Sequence, residues 1–509
     1  MSEPVKYIVV QAGGRGSRME ILTRNKPKAL VPVENLPMLF HLFRKYPEAH
    51  FVVIGDYRYD VLAKYLKSFA DAYDYELVHA SGAKGTCAGL AEALQRVPAH
   101  TPFFLIWCDL LLSKDWQMPA ADADYVGIAD GFSCRWKFED GHFVEERSST
   151  HGVAGAFVFQ EKERLAGLPA EGEFVRYLAE SRHAFQEMKL MGAREYGHYS
   201  DWEKLPRMKW RPFNRLEVRG DRVTKMGIDA QGIALGKRES NWYRKLAGST
   251  FQNLPHIYGY EPLEMEWIDG KNIYEYSYLP EEQKKRILSE IIGCLKSLHA
   301  LGSVPADEAS YRQAYLGKTY DRLAKVRDLV PFANDETIVI NGKRCRNIFF
   351  QQEEVERRVL RYQPEQFVFL HGDPTFSNMM LRHDTEPVLI DPRGYFGTTE
   401  IYGDAAYDWV KLYYSLVSNY DQFNLKRFAL DIREDFVDLR MASNNWEDME
   451  DEFFHLLDGD VTRPQMKLLL ALTWLSLTTY AWEDYDSICG AFYEGVYLLE
   501  EALEMEEEA

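Results

Sequence analysis

Residues 7–33 read YIVVQAGGRGSRMEILTRNKPKALVPV. The apolar run Tyr7–Gln11 has the length of one buried strand, and Gly13, Gly14 and Gly16 follow it directly, flanked by Ala12 and Ser17. Glycines in that place let the backbone turn tightly and bring its N–H groups to a polyphosphate, because no Cβ holds the anion away. Arg18 and Lys28 add charge where backbone dipoles alone would not balance several negative oxygens. Further β-rich runs at 51–55, 75–79 and 103–107 alternate with helical patterns at 36–45, 59–72 and 85–96. This βαβαβ rhythm predicts a parallel sheet with right-handed crossovers, whose strand carboxyl ends form the binding edge. Asp109, in FFLIWCDL, stands at such an end, where a carboxylate can reach a metal ion.

At 509 residues the chain should hold two to four packed units, with about 150 residues per domain as a prior. Hydrophobic residues at 46% supply more than one core and exclude wholesale disorder. The net charge of −19 repels nucleic-acid phosphates and anionic lipid over the surface as a whole, so any phosphate site must be a local basic pocket. Six scattered cysteines without a CxxC pair fit reduced thiols packed in a core. The N-terminal residues show no targeting pattern, and the apolar run 468–480 is too short to span a bilayer, so a soluble cytoplasmic protein without membrane insertion is expected, its oligomeric state open.

The compound pattern GGRGSRM at 13–19 followed by PKAL at 27–30 resembles the signature of the nucleotidyltransferases that make NDP-sugars and CDP-alcohols, over roughly residues 5 to 205. The resemblance implies a Rossmann-like, GT-A-like domain over 1–208. Its glycine loop (Ala12, Gly13, Gly14, Gly16, Ser17) would wrap the NTP phosphates, Arg18 and Lys28 would neutralise them, and Asp109 would hold Mg2+. GTCAGLAEAL from Gly85 resembles the base-contacting turn, which implicates Gly85 and Thr86. EER at 145–147 resembles the pair that grips the second substrate, here Glu146 and Arg147 with arginine in place of lysine. The second metal carboxylate of the family falls in REYGHYSD, where Glu195 takes the position, His198 stands in place of a threonine, and Asp201 is the alternative.

Around 202–212 the pattern breaks into the charged stretch DWEKLPRMKWRP, which places a domain boundary near 208. Beyond it, FLHGDPTFSNMMLRHDTEPVLIDPRG at 369–394 puts His371, Asp373, Asn378 and Asp391 in loops between apolar runs. Phosphoryl transfer from ATP needs such a set: one carboxylate for the attacking hydroxyl, and an Asn with a second carboxylate for Mg2+. The two elements resemble the catalytic and metal loops of the aminoglycoside phosphotransferase and choline kinase family. That implies a bilobal protein-kinase-like (α+β) domain over 209–509, with a small β-rich lobe at 209–275 and a helical lobe at 276–509. By motif position Lys225 would bind phosphate and pair with Glu239, the backbone between Glu266 and Ile268 would hold adenine, and Asp404 and Asp408 would anchor a helix. Arg393 departs from the usual apolar or acidic residue, and would bind a phosphate or acidic substrate or brace the loop.

A kinase makes a phosphate monoester and a nucleotidyltransferase consumes one. The expected protein is therefore bifunctional: it phosphorylates a small alcohol with ATP, then couples the ester to an NTP with release of pyrophosphate, with Mg2+ at both sites. LTRNKPKALVPV looks closer to the phosphocholine cytidylyltransferases than to the glucose enzymes, so CTP and a choline-like alcohol lead, for a surface glycan or lipid headgroup. A sugar phosphate with UTP or another NTP is the first alternative, and a nucleotidyltransferase regulated by a pseudokinase the second.

Overall fold

Strand β1 (Tyr7–Gln11) runs through the middle of a seven-stranded sheet. Its inner residues Ile8, Val9 and Val10 are buried on both faces, as expected for a strand covered by crossover helices. The computed structural model describes residues 5–181, 183–205, 214–276 and 278–505. The chain divides into two units, Met1–Arg207 with Glu483–Tyr485, and Met208–Trp482 with Asp486–Ala509. The boundary expected at 208 lies outside the described residues.

In the first unit β1 pairs in parallel with β2 (His50–Gly55) and β4 (Phe103–Trp107), and β2 with β3 (Asp74–His79). Strand β6 (Val153–Phe159), buried along its whole length, runs antiparallel to β4 and to β5 (Tyr125–Ile128), and β7 (Gln186–Lys189) closes the edge parallel to β5. The crossovers include α1 (Met38–Lys45), α2 (Tyr59–Phe69) and α3 (Leu90–Arg96). Helix α3 begins five residues later than the pattern from Gly85 predicts. Gly85 has φ +91°, and a Cβ there would sit 2.2 Å from the Gly172 carbonyl oxygen, so the segment is a turn docked on a neighbouring loop.

The second unit opens with a four-stranded antiparallel sheet of β8 (Asn214–Arg219), β9 (Arg222–Gly227), β10 (Ile257–Tyr260) and β11 (Leu263–Glu266), in the order 8-9-11-10. Helix α4 (Ala230–Leu246) follows β9, its first turn capped by Asp229, which accepts from Gly232 N at 2.8 Å. Trp242 on α4 is fully buried and donates its indole N–H to the Leu370 carbonyl at 2.7 Å, tying the helix to the chain just before His371. Trp242→Ala should destabilise this unit by about 3–5 kcal/mol through the cavity it leaves, read as a lower urea midpoint for the second unit's transition.

The rest of this unit is built on α5 (Glu281–His299), α6 (Lys318–Val326), α7 (Ala405–Leu416) and α8 (Arg463–Leu475). The functional loops leave β12 (Gln366–Phe369) and the hairpin of β13 (Met379–Arg382) and β14 (Glu386–Leu389). Within the mostly helical region beyond 276, Thr337–Ile340, Lys343–Arg346, Phe428–Ile432 and Val437–Met441 form a four-stranded sheet. Its first hairpin turns on Asn341 (φ 49°) and Gly342 (φ 80°), the residue pair that two-residue hairpins favour. The amphipathic periodicity of residues 463–483 predicts one helix over that span, but the helix ends at Leu475. There Ser476 and Thr478 hydroxyls donate back to Thr473 and Leu475 carbonyls at 2.9 and 3.0 Å, competing with the helical ladder.

All six cysteines are buried and none is in a disulfide. Among the described residues no helix is long and apolar enough to cross a membrane.

Candidate active sites

In the first unit the residues singled out along the chain converge at the carboxyl ends of β1 and β4. Lys28 is buried and its ammonium pairs with the Asp109 carboxylate. Residues 194–195 form a short antiparallel ladder with 110–111, in which Glu195 opposes Leu110 and Tyr196 N donates to the Asp109 carbonyl at 3.0 Å. Glu195 therefore stands beside Asp109. Burial, and then the neighbouring Asp109 charge, push its carboxyl above the usual range. Gly197 leaves the room: a Cβ there would lie 2.6 Å from Glu195 Oε1 and 3.5 Å from an Arg18 Nη. Arg18 is held by His198 at 2.9 Å, so the histidine that replaces a threonine orients the arginine. Asp201 is turned to Lys204 at 3.7 Å. Two neighbouring carboxylates, with Lys28 and Arg18 close to them, make an oxygen donor set of the kind that suits Mg2+.

The glycine loop is open at its centre, since a Cβ on Gly14 would meet nothing within 4 Å, whereas Gly13 packs on Asp56 and Gly16 on Thr23 and Lys28. Packing thus accounts for the flanking glycines and leaves Gly14 as the place where a ligand can approach the backbone. Gln11 donates to the Thr86 and Ala88 carbonyls at 2.9 and 3.1 Å, and Thr86 Oγ1 accepts from Phe174 N at 2.8 Å, so the Gly85–Thr86 turn is braced on β1. Glu146 and Arg147 lie on an exposed stretch. Glu146 pairs across a hairpin with Lys137 at 2.9 Å, a lysine that the local EER pattern gave no reason to single out. Among the described residues neither Glu146 nor Arg147 bonds to Arg18, Lys28, Asp109 or Glu195.

In the second unit the loops 371–378 and 389–393 are zipped together. Ile390 N donates to the Asn378 carbonyl at 3.0 Å and Arg393 N to the His371 carbonyl at 2.9 Å. His371 Nε2 lies 2.9 Å from the Ile390 carbonyl and must carry the proton, because a carbonyl only accepts; Nδ1 is then free to accept from Asp373 N at 3.3 Å. Burial holds this imidazole below its ordinary value, so it is a neutral brace for the loop. Asp408 accepts from His371 N, Gly372 N and His299 Nε2 at 3.0, 2.7 and 3.0 Å. Asp404 caps α7 and accepts from the Tyr315 hydroxyl at 2.9 Å. Both acids are occupied with holding backbone.

Asn378 Nδ2 donates to Asp373 Oδ2 at 3.1 Å, which turns its Oδ1 the other way. Lys225 Nζ bridges Glu239, at 2.8 Å, and Asp391, which joins the small sheet to the second acidic loop. Burial opposes the charge on Lys225, but Asp391 and Glu239 beside it hold the ammonium above its usual range. Asp391 has φ 55°, uncommon for a residue with a side chain and typical of loops held by their function. Glu239 Oε1 is buried without a hydrogen-bond partner among the described residues. The Ile390 N to Asn378 carbonyl bond brings the Asn378 and Asp391 segments side by side, and both residues carry side-chain oxygens of the kind that suits Mg2+. In the 266–268 segment, Glu266 N and Trp267 N donate to His256 and Asp221 carbonyls at 2.8 and 2.7 Å, and the Glu266 carboxylate accepts from Arg382 at 2.9 Å. Among the described residues the Ile268 N–H has no backbone hydrogen-bond partner.

Burial disfavours ionisation of Asp373, yet Lys411, 2.9 Å away, and then Arg393 outweigh it and hold the carboxyl well below the usual carboxylate range. A depressed carboxyl stabilises the fold above its unfolded value of about 4, and that contribution is lost as pH falls towards the folded value. Asp373→Asn should therefore lower the urea midpoint at pH 7, and the gap to the parent chain should narrow below pH about 4. Lys411 was not singled out in the sequence. It stands in the helical run GDAAYDWVKL at 403–412, where a lysine one turn from Tyr407 reads as ordinary surface.

Residues 8–143 match the MobA-like NTP transferase domain and residues 237–438 the phosphotransferase enzyme family. A curated relative, mannose-1-phosphate guanylyltransferase catalytic subunit beta of Drosophila pseudoobscura pseudoobscura, is 32% identical over 109 residues, 20% of this chain and 29% of that protein. The chain thus spans under a third of the length of the curated relative it matches. Among solved structures, the inositol-1-phosphate CTP transferase from T. maritima aligns with a TM-score of 0.33 at 15% identity, covering 40% of this chain and 93% of that one. The CTP:phosphocholine cytidylyltransferase from Streptococcus pneumoniae aligns with a TM-score of 0.33 at 15% identity, covering 40% and 98%. With the β-sheet domain and glycine loop ahead of the HGD and IDPRG loops, the chain carries a nucleotidyltransferase domain in its N-terminal part and a phosphotransferase-family domain in its C-terminal part.

Proposed function

We propose that the protein phosphorylates a small alcohol with ATP in its second unit and couples the resulting phosphate monoester to an NTP in its first, releasing pyrophosphate. The observation that supports this reading is two separate groupings of cations and oxygen donors, Lys28 with Asp109 and Glu195 in one unit, and Lys225 with Asp391 and Asp373 with Asn378 in the other. The product of the second chemistry is the substrate of the first.

In the phosphotransferase unit Asp373 orients the acceptor hydroxyl and takes its proton. Held ionised by Lys411, it is a weak base, which suits a loose phosphoryl transfer in which the proton leaves late. Lys225 would hold the nucleotide phosphates, and Asn378 and Asp391 would hold Mg2+, which supplies charge neutralisation when bound. In the nucleotidyltransferase unit Arg18 and Lys28 would neutralise the triphosphate around the Gly14 turn, with Asp109 and Glu195 as the Mg2+ ligands. The attacking phosphate has a second pKa of about 6 and is already a dianion at neutral pH. That unit needs positioning and charge more than a base.

CTP is the preferred nucleotide on the resemblance of LTRNKPKALVPV to cytidylyltransferases. A second reading, an NDP-sugar product, is favoured by the match to a mannose-1-phosphate guanylyltransferase. Mass spectrometry of products after incubating the full chain with ATP, CTP, UTP and GTP and a mixed pool of alcohols and sugars tests both. Appearance of a phosphate ester followed by one NDP-linked product supports the two-step reading, and an ester that no NTP converts would overturn it.

A further inference from the structure

Around Asp373 the second unit gathers more positive charge than the transfer of a phosphoryl group to a neutral or cationic alcohol calls for. Lys411, on α7, lies 2.9 Å from Asp373 Oδ1, and Arg393 lies 3.9 Å from Oδ2. One carboxylate therefore faces two cations. Two more come from α6, four residues apart and so on one face of the helix. Lys318 Nζ donates to the Tyr407 hydroxyl at 3.0 Å, and Arg322 donates to the Ser476 carbonyl, its guanidinium 5.7 Å from the Tyr480 ring centre. Among the described residues neither Lys318 nor Arg322 has a carboxylate partner.

These cations are half-buried or nearly buried, and withdrawing a charge from water without a counter-charge is unfavourable. The crowding is visible in the titrating groups. Burial, with repulsion from Arg393 and Arg322, pushes the Lys318 ammonium down to about 8. Burial disfavours a Tyr407 phenolate, yet Lys318, Arg393 and Lys411 together pull that hydroxyl down to about 7. An aromatic box for a quaternary amine would need open ring faces. Here they are taken: Lys318 and Lys411 stand 5.0 and 5.8 Å from the Tyr407 ring, Arg238 and Arg393 stand 4.5 and 5.9 Å from Tyr395, and Arg322 stands by Tyr480.

We infer that the alcohol phosphorylated by the second unit is an anion, a small hydroxy compound bearing a carboxylate or phosphate group, seated against Lys318, Arg322 and Arg393 with its hydroxyl turned to Asp373. The inference rests on the reading of this unit as an alcohol phosphotransferase. In the step, the acceptor oxygen bonds to the γ-phosphorus of ATP as the bridging P–O bond to ADP breaks, and the hydroxyl proton passes to Asp373 and on to solvent. A choline-like acceptor, the expectation drawn from the family resemblance, would be repelled by this cationic lining.

The test uses the full chain with ATP and Mg2+ and a size-matched panel of hydroxy acids, sugar phosphates, neutral polyols and choline, reading ADP release and product mass. At least one anionic class should exceed the neutral and cationic ones in kcat/KM by on the order of 100-fold, and which class leads separates carboxylate from phosphate. Arg322→Gln and Lys318→Met should each raise the acceptor KM about tenfold or more while leaving the KM for ATP within about twofold, and Lys318→Arg should recover most of the loss. Turnover of choline or a neutral polyol at least as efficient as that of any anion would overturn the inference and leave the phosphotransferase reading standing. So would a rise in the KM for ATP in place of that for the acceptor, since the cations would then serve the nucleotide. Absence of ADP release with every acceptor would overturn both.

Discussion

A full-length chain carrying Asp373→Ala should make no phosphate ester from ATP and alcohol, with a loss on the order of 10³-fold or more, while still converting supplied ester and NTP into the NDP-linked product. The size follows from what the side chain does. It is the one carboxylate placed between the Asn378 amide, at 3.1 Å, and the Lys411 ammonium, at 2.9 Å, and no other group in these contacts can orient a hydroxyl and take its proton. Removing it also leaves Lys411 and Arg393 without their counter-charge, so part of the loss could be structural. Asp373→Asn keeps the side-chain volume, so it removes the cavity left by alanine from the comparison; it still leaves Lys411 and Arg393 unpaired and turns one of the two accepting oxygens into a donor, and it should be nearly as inactive. Quench-flow measurement of ester formation, beside NDP-product formation from added ester, reads both activities on one preparation. Retention of phosphorylation by Asp373→Asn within about tenfold would remove Asp373 from the role given to it.

The reciprocal change has the second large effect. Asp109→Asn should lower NDP-product formation on the order of 10³-fold and leave ATP-dependent phosphorylation unchanged. Asp109 is nearly buried and paired with Lys28, itself buried, and Glu195 stands beside it, so the substitution removes one of the two carboxylates that would hold the metal ion. Breaking a buried pair by removing one partner costs about 3–5 kcal/mol. The double change Asp109→Asn with Lys28→Met should restore much of that stability without restoring activity. Thermal unfolding of the first unit reads the stability, and pyrophosphate release reads the chemistry. If either single variant, shown to be folded, loses both reactions, the two units do not work as independent sites.

Both constellations were legible where their members are close in the chain. Gly13 to Lys28 and His371 to Arg393 are short segments in which residue type and spacing already point to a phosphate loop and a metal loop, and the structure keeps the members of each segment close together. The strand runs at 7–11 and 103–107 were read to the residue, since parallel strands buried on both faces are uninterrupted apolar runs. The readings that failed did so for local physical reasons. The helix expected from Gly85 gave way to a turn in which backbone approaches backbone, and the one expected to reach 483 was stopped by hydroxyls bonding their own carbonyls. The inserted sheet was missed although its Asn341-Gly342 turn is in plain view, because the long helical stretches around it dominated the reading.

What remained out of reach was the partnership of residues distant in sequence. Nothing near Lys318 or Arg322 marks them apart from any lysine or arginine on an amphipathic helix, and nothing near Lys411 joins it to Asp373; each becomes informative only when folding sets it against a group distant in the chain. The same holds for Glu195, whose choice over Asp201 as the neighbour of Asp109 follows from a two-residue ladder with strand 110–111. A motif names the reaction because covalent connectivity holds its atoms within a few residues of one another. The substrate is recognised by electrostatics summed over space, and that sum exists only once the chain has closed around it.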